Sequence, residues 1–517
     1  MESEPATPAP HLGPHAAGHP DRPAVIMAGS GEVTTYRQLD ERSNRLAHAF
    51  RRAGLQAGDH VALMMENGSP FLEAAWAAQR AGLYYTALNA HLRRDEAQYI
   101  LDDCGARGLV ITSGLADVAA SLDLGAVPLL IAAGGGVAGF SPYAAVLDSG
   151  RPTPLDDEAE GREMLYSSGT TGVPKGVRKP LGVTAPGDPR APSVVIALGI
   201  GAMGVTGTSV YLSPAPLYHS APLVYTMAMH RLGATAVVME SFDAADCLAA
   251  IERHRVTHAQ FVPTMFTRML RLPEEQRLGY DVSSLRYVVH AAAPCPVPVK
   301  HRMLEWWGPI VYEYYAGTED LGSSFITPAE WLEHPGSVGR PRDELHIVGD
   351  DGGELPAGRA GTIYFAGGHD FEYHNDPDKT ASVRNHHGWR TLGDVGYVDE
   401  DGYLYLTDRS ADMIVSGGVN IYPREAEQVL LTHPSVLDAA VFGIPDDEFG
   451  ESVKGVVQLA GPASESDLLD WCHRHLATYK CPRSIDVADT LPRDPSGKLF
   501  KRLLRDPYWE GHDSRIV

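Results

Sequence analysis

The sequence predicts an α/β protein in which a large N-terminal part is followed by a smaller α+β block. Three observations carry that expectation. Strand-like apolar runs alternate with segments of helical spacing through the first part, the pattern of a largely parallel sheet covered by helices. Between Leu345 and Leu406 the texture changes to short alternating runs broken by Asp-Gly and Gly-Gly turns, which reads as antiparallel hairpins. After Asp408-Arg409 a new series of helix and strand signals begins. The boundary falls near 408–412, with domains drawn as 1–408 and 409–517. A chain of 517 residues exceeds what one ordinary core holds, so at least two domains are expected.

Taken in order, the N-terminal stretch MESEPATPAPHLGPHAAGHPDRP has no basic start and no apolar centre. It reads as a loose polar leader rather than a secretory signal. Thr34 or Thr35 caps a helix carrying Tyr36, Leu39, Leu46 and Phe50, and Gly54 ends it. His60–Met65 reads as a buried strand, Phe71–Gly82 as a helix, and Leu83 opens another apolar run. Asp95–Asp103 is then a helix and Leu109–Thr112 a strand. The alternation resumes with strands at Ser193–Leu198, Ala234–Met239, Ala259–Val262 and Tyr287–Val289. Asp351-Gly352-Gly353 and Asp401-Gly402 are the turns of the hairpin region. In the last block, Arg424–Leu431 and the run from Glu465 read as helices, Ala439–Phe442 and Lys454–Leu459 as strands. No fixed-period repeat is visible.

Composition narrows the function. Apolar content of 44% and charged content of 21% fit a soluble globular protein. No apolar run approaches the ~18 to 20 residues of a membrane span. The five cysteines, Cys104, Cys247, Cys295, Cys472 and Cys481, are scattered without a CxxC pair, which argues against a zinc site or a disulfide framework. Reduced thiols in a cytoplasmic setting are the simplest account. A formal charge of −23 argues against nucleic acid or an anionic membrane surface, both of which call for basic patches. A bound nucleotide must then be held by a local site, against the overall field.

The chemistry-bearing stretch is Tyr166–Gly176, YSSGTTGVPKG. Ser167, Ser168, Gly169, Thr170, Thr171 and Gly172 place four hydroxyls and two glycines in six residues. Glycine lets backbone N–H groups approach an anion, and hydroxyls add donors that follow phosphate oxygens. Pro174 stiffens the exit and Lys175 adds a cation. Composition alone also fits a Ser/Thr/Gly surface loop; the ordered Gly-x-x-Gly-x-Pro-Lys-Gly favours the anion cradle. The Walker pattern G-x-x-x-x-G-K-[ST] is absent, since Pro174 precedes Lys175 and Gly176 follows it, while Gly497-Lys498 is followed by Leu499.

Tyr166–Gly176 resembles the signature of the adenylate-forming superfamily, in particular its acyl-CoA synthetase and fatty-acid–CoA ligase branch. Further motifs occur in that family's order. Leu217-Tyr218-His219-Ser220 resembles its acyl-site segment, and His290-Ala291-Ala292-Ala293-Pro294 its adenine-pocket strand end. Tyr315-Ala316-Gly317-Thr318-Glu319 resembles Y-G-x-T-E, and Thr391-Leu392-Gly393-Asp394 resembles T-G-D. Asp408-Arg409 resembles the D/G-R pair, and Pro495-Ser496-Gly497-Lys498 the C-terminal lysine loop. Collinearity from about residue 30 to 502 is more specific than any single match. The resemblance implies two βα-type subdomains, a small antiparallel β-barrel-like subdomain and a small mobile C-terminal domain.

It also implies roles. The phosphate grip falls to the loop and Lys175, the adenine pocket to Ala292, Ala293, Pro294, Tyr314, Tyr315 and Ala316, with Tyr315 offering a ring to stack. Asp394 accepts from the ribose hydroxyls, Arg409 contacts ribose or phosphate, and Leu406 lies at the nucleotide. Thr318 donates to the α-phosphate, and Glu319 is the Mg²⁺ ligand, because a hard cation bridging phosphates calls for carboxylate oxygen. Lys498, Thr318, Glu319 and Lys175 form the catalytic set. Singly, a Tyr packs, a Thr caps, a Glu or Lys is solvated and an Asp turns the chain; their joint order weighs against those readings. His219, Ala221, His290, Ala291, Ala316 and Gly317 line the acid pocket. His290-Ala291 stands where many relatives have Ser-Gly, and Tyr314 where glycine is common. Small side chains at Ala221, Ala291 and Ala316 leave space for a bulky apolar acid. Ser416, Gly417, Gly418 and Lys480 match the CoA-side segments. Ala411 occupies the hinge position, where the family usually carries Asp or Lys.

The leading expectation is an ATP- and Mg²⁺-dependent acyl-CoA synthetase for a medium, long or bulky apolar carboxylic acid, with CoA as acceptor. A second is adenylation alone, the acyl group passing to a carrier protein or partner ligase, because Ala411 offers no charge to hold two domain orientations. A luciferase-like oxygenase has nothing in the sequence calling for it. The non-enzyme alternative is a nucleotide-binding scaffold, against which Lys498 counts, since mere binding does not need it. A second copy of the chain, as a homodimer, is a further partner to test.

Overall fold

The alternation read in the sequence closes into parallel sheets. The computed structural model describes residues 11–167, 174–182, 185–187, 201–293, 295–349, 351–409, 412–416, 419–446, 449–493 and 499–510. The chain divides into two compact units. One comprises Met1–Phe261, Arg271–Val289 and Asp370–Thr380, the other Val262–Leu270, His290–His369 and Ala381–Val517.

In the first unit, one sheet runs in the order Ser141–Pro142, Leu129–Ala133, Ala106–Thr112, His60–Met64, Tyr84–Leu88 and Arg162–Glu163, every pair parallel. All five residues of His60–Met64 are buried, which is why this strand reads as a continuous apolar run without alternation. In a second sheet Val210–Ser213 lies between parallel neighbours Thr235–Val238 and His258–Phe261. Pro23–Met27 joins Thr235–Val238 in parallel, and Val33–Thr35 returns antiparallel at its side. Tyr287–His290 follows His258–Phe261 in the strand order. The expected strand at Ser193–Leu198 lies outside the described residues.

The helix Tyr36–Arg52 begins as its sequence specifies. The Thr35 hydroxyl accepts from the Gln38 N–H at 3.3 Å, and the Gln38 side chain accepts from the Thr35 N–H at 2.9 Å. Tyr36, Leu39, Leu46 and Phe50 form its buried face, and Gly54 leaves it at φ +84°.

One expectation needs correction. Part of the leader read as loose is a docked helix, Leu12–Gly18, with Leu12 fully buried. Its stability is tertiary rather than local. The His15 Nε2 donates to the Arg231 carbonyl at 2.9 Å, and His11 packs edge-on against Trp76. Beneath it, Trp76 Nε1 donates to His230 Nδ1 at 3.2 Å, and His230 Nε2 donates to the Ala24 carbonyl at 3.1 Å. That pattern fixes one neutral tautomer of a fully buried imidazole.

The second unit contains the expected antiparallel region. Val311–Ala316, Ser323–Ile326 and Arg340–Pro341 pair antiparallel. Glu344–Val348, Gly361–Ala366, Asp394–Val398 and Leu404–Arg409 form a four-stranded antiparallel sheet. The Asp401-Gly402 turn closes its last hairpin, with Gly402 at φ +84°. Farther along, the long strands Val436–Asp446 and Gly450–Leu459 pair antiparallel, and Ser484–Val487 adds in parallel. Helices Pro423–Leu431 and Glu465–His475 contribute Ala426, Leu430, Leu468 and Cys472 to the core of this sheet. All five cysteines are free and buried. Among the described residues, no helix is long and apolar enough to cross a membrane.

Candidate active site

The phosphate-loop hairpin belongs to the first unit. Leu165–Ser167 and Lys175–Arg178 pair antiparallel, with Ser167 opposite Lys175, so the sequence between them is entered and left through two paired strands. Ser168, Gly169, Thr170, Thr171 and Gly172 lie outside the described residues, as does the side chain of Ser167. The hairpin is anchored below: the Tyr166 hydroxyl donates to Asp103 Oδ2 at 2.5 Å, and the Asn375 amide donates to the Asp103 carbonyl at 2.9 Å. Burial and the Asp103 contact push the Tyr166 phenol well above its usual range. Lys175 does not project freely. Its ammonium lies 3.3 Å from Asp376 Oδ2 and 5.9 Å from the centre of the Tyr373 ring.

His219, also in this unit, is the N-cap residue of the helix Ser220–Arg231 without a side-chain capping bond. Its ring lies 4.5 Å from that of Tyr218, and Ala221 is partly buried in the first turn.

The second unit brings several of the expected nucleotide residues together. The strand Val311–Ala316 carries Tyr314, Tyr315 and Ala316 and leads into Gly317-Thr318-Glu319. The Tyr315 hydroxyl donates to Asp394 Oδ2 at 2.6 Å, across 79 positions of sequence, and its ring lies over Phe365 at 6.4 Å. Asp394 is buried at the start of its strand, with Arg409 opposite it in register; the Arg409 side chain lies outside the described residues. Leu406, on the same partner strand, pairs with Gly396 and is partly buried. Gly317 is closely packed: a Cβ there would lie 2.6 Å from the Leu392 side chain and 3.0 Å from the Glu319 carboxylate, so a larger residue would have to displace both. Glu319 is itself buried.

At the end of Tyr287–His290 the backbone is strained. Ala292 takes φ +71°, a left-handed conformation that alanine adopts only when its surroundings impose it. Ala291 is buried and Ala293 partly so, while Pro294 lies outside the described residues. His290 is fully buried, edge-on to Phe266 at 5.4 Å and 3.4 Å from Glu313 Oε2. Glu313 in turn accepts from the Lys300 ammonium at 2.6 Å. Burial and the adjacent Lys300 push the His290 pKa well down, so the ring is neutral. Its Nδ1 has no hydrogen-bond partner among the described residues.

Farther along, Ser416 ends the strand Ile414–Ser416, and Lys480 is ion-paired with Glu425. Gly417, Gly418, Ala411 and Lys498 lie outside the described residues. Sequence reading missed Asp376, Asp103 and the Lys300–Glu313 pair. The available signals were a charged residue inside an apolar strand (Glu313), and an Asn-Asp-Pro run able to cap the helix Pro377–Ser382.

Parallel α/β sheets, a Ser/Thr/Gly-rich sequence between two paired strands, and a Tyr–Asp pair beside a glycine-spaced glutamate are the parts of an α/β nucleotide-binding enzyme. The chain belongs to the AMP-binding enzyme family: residues 13–372 match its family model, and residues 425–498 match that of the AMP-binding enzyme C-terminal domain. The chain is 33% identical to the fatty acid–[acyl-carrier-protein] ligase ScoC of Streptomyces coeruleorubidus, over 97% of this chain and 96% of that one. It is 34% identical to a feruloyl-CoA synthase of Amycolatopsis sp., covering 93% and 95% of the two chains. The o-succinylbenzoate CoA synthetase of Bacillus subtilis, solved with its acyl-adenylate intermediate, superposes with a TM-score of 0.78 at 28% identity, covering 97% of this chain and 98% of that one.

Proposed function

We propose that the protein activates a carboxylic acid with ATP and transfers the acyl group to CoA. A carboxylate is a poor electrophile, because its charge repels nucleophiles and oxide would have to leave. Its oxygen attacks the α-phosphorus of ATP, the bond to the β-phosphate oxygen breaks, and pyrophosphate departs. The CoA thiol then attacks the acyl carbon, AMP leaves with its oxygen, and the thiol gives up its proton. The observation that carries this reading is the meeting of Tyr315 with Asp394, in the cluster that also holds Gly317 and Glu319.

The transition state crowds negative charge, so catalysis rests on donors and cations placed in advance. Asp394 and Tyr315 bind ribose and adenine, with Leu406, Tyr314, Ala292, Ala293 and Pro294 around the base. Thr318 and Lys498 contact the α-phosphate, and Ser167–Gly172 with Lys175 hold the leaving phosphates. The buried Glu319 carboxylate fits a hard cation, and Mg²⁺ held there supplies positive charge against the phosphates. His219, Ala221, His290, Ala291, Ala316 and Gly317 bound the acid pocket, and a medium, long or bulky apolar acid suits its small residues. Residues 409–517 form a mobile domain that brings in Lys498 for the first step and Ser416–Gly418 with Lys480 for the second. A cytoplasmic location accords with five unoxidised thiols.

Pyrophosphate exchange across a panel of carboxylic acids is the direct test. Acid-dependent exchange is expected, and none with any acid would sink the proposal. Lys498→Ala should lower the adenylation rate by roughly 10²–10³-fold, as for the loss of a preorganised donor.

A second reading, transfer to a carrier protein, draws on Ala411 and on the named activity of the Streptomyces coeruleorubidus relative. Product mass spectrometry with CoA and with a phosphopantetheinylated carrier separates the two. Accumulated acyl-AMP without thioester to CoA favours the carrier.

A further inference from the structure

Lys175 is met by a carboxylate that the nucleotide motifs do not include. Asp376 lies just beyond the strand Glu372–Tyr373, which pairs antiparallel with Lys175–Arg178, so the sheet that carries Lys175 also leads the chain to Asp376. The frame is tight. The His374 N–H donates to the Gly176 carbonyl at 2.8 Å, and the Asp376 N–H to that of Tyr373 at 3.1 Å. Asn375, at φ +56°, ties the turn to Asp103, the residue that also holds Tyr166.

The two oxygens of the Asp376 carboxylate are divided between tasks. Oδ1 accepts from the Lys379 N–H at 2.9 Å, which fixes the side chain at the start of Pro377–Ser382. Oδ2 is left to face the Lys175 ammonium at 3.3 Å. The Lys379 N–H and the neighbouring lysines hold the carboxyl below its usual range, so it carries its charge at neutral pH.

The contact is long for a charge-assisted bond, and it is wet: the Lys175 side chain is 18% exposed and that of Asp376 38%. A pair of this kind contributes little to stability. It is suited instead to exchange, since an incoming phosphate oxygen offers the ammonium more charge than one carboxylate oxygen does.

We propose that Asp376 is a positioning residue that holds Lys175 between turnovers and competes with pyrophosphate for it, which eases release of the leaving group. The proposal rests on Lys175 acting at the phosphate side of the adenylation reaction. Asp376 makes no contact with reacting atoms in it; the residue acts through Lys175.

The test is product inhibition by pyrophosphate, measured together with ATP kinetics on the full chain. Asp376→Asn keeps an acceptor for the Lys379 N–H and removes the charge. It should tighten pyrophosphate inhibition roughly three- to fivefold, the size expected of a screened, half-exposed charge. KM for ATP and kcat should fall together, whereas damage to the fold would raise KM. Asp376→Glu should restore wild-type inhibition. In a Lys175→Ala background the Asp376→Asn shift should vanish, because the effect passes through that ammonium. Should Asp376→Asn melt early, Asp376→Ser, which also keeps a capping oxygen, takes its place. Unchanged or weaker pyrophosphate inhibition in a folded variant overturns the proposal, as does an equal shift without Lys175. Loss of acid-dependent exchange in the wild type is a different result: it removes the adenylation reading itself.

Discussion

Two lysine–carboxylate pairs in this chain have the same chemistry and opposite settings. Lys300 and Glu313 are sealed, their side chains 0% and 6% exposed, and their 2.6 Å contact is short. Lys175 and Asp376 sit in partial contact with water at 3.3 Å. In the sealed pair, neither charge can leave without abandoning the other in a low-dielectric interior. In the wet pair, water can hydrate either partner, and an anionic oxygen can take the carboxylate's place at the ammonium. Burial, more than charge, decides which pair is structure and which is available for exchange.

Breaking the sealed pair should have the largest effect. Glu313→Ala leaves a buried ammonium without its carboxylate and should cost about 3–5 kcal/mol of folding stability, read by chemical denaturation. Replacing both residues, Lys300→Met with Glu313→Gln, should cost much less. If Glu313→Ala unfolds at the wild-type denaturant concentration, the pair is not sealed.

Acid offers a second way to probe the interior. Burial lowers the pKa of His230 from 6.5 to about 4, so the folded state binds fewer protons than the unfolded one. Its contribution is complete above about pH 6.5 and is lost as pH falls towards 4. By pH 5 the loss is on the order of 2 kcal/mol. His230→Gln should flatten the stability profile between pH 7 and 5, and a profile with unchanged slope would contradict the assignment.

Tyr315→Phe comes next. It removes the 2.6 Å bond to the Asp394 carboxylate and should weaken ATP binding about tenfold by calorimetry, with little change in folding stability. Last, Asp376→Asn should leave the melting temperature within about 3 °C of wild type. A larger drop would move the wet pair to the structural side of the comparison.

What the sequence disclosed was local. Thr35 with Gln38 announces a helix start because both partners lie within one turn, and Asp401-Gly402 announces a hairpin because the conformation it requires is intrinsic to those residues. The order of nucleotide motifs was equally readable, and two residues it singles out, Tyr315 and Asp394, meet through a hydrogen bond. Lys175 and Asp376 are 201 positions apart, and no local rule joins them. Lys300 looks like any helix lysine until the strand bearing Glu313 packs against it. The docked helix Leu12–Gly18 was missed for the same reason: the partners that hold it, Trp76 and Arg231, come from distant segments.

The five buried thiols have a practical consequence. Burial pushes Cys104 and Cys472 up to about 12 and raises Cys247, Cys295 and Cys481 as well, so no native cysteine offers a reactive thiolate at neutral pH. A new cysteine at exposed Tyr479 or Leu503 would then take a maleimide fluorophore almost alone. The wild-type background is therefore ready for site-specific labelling, and the mobility proposed for residues 409–517 can be tested optically without stripping the protein's own sulfur.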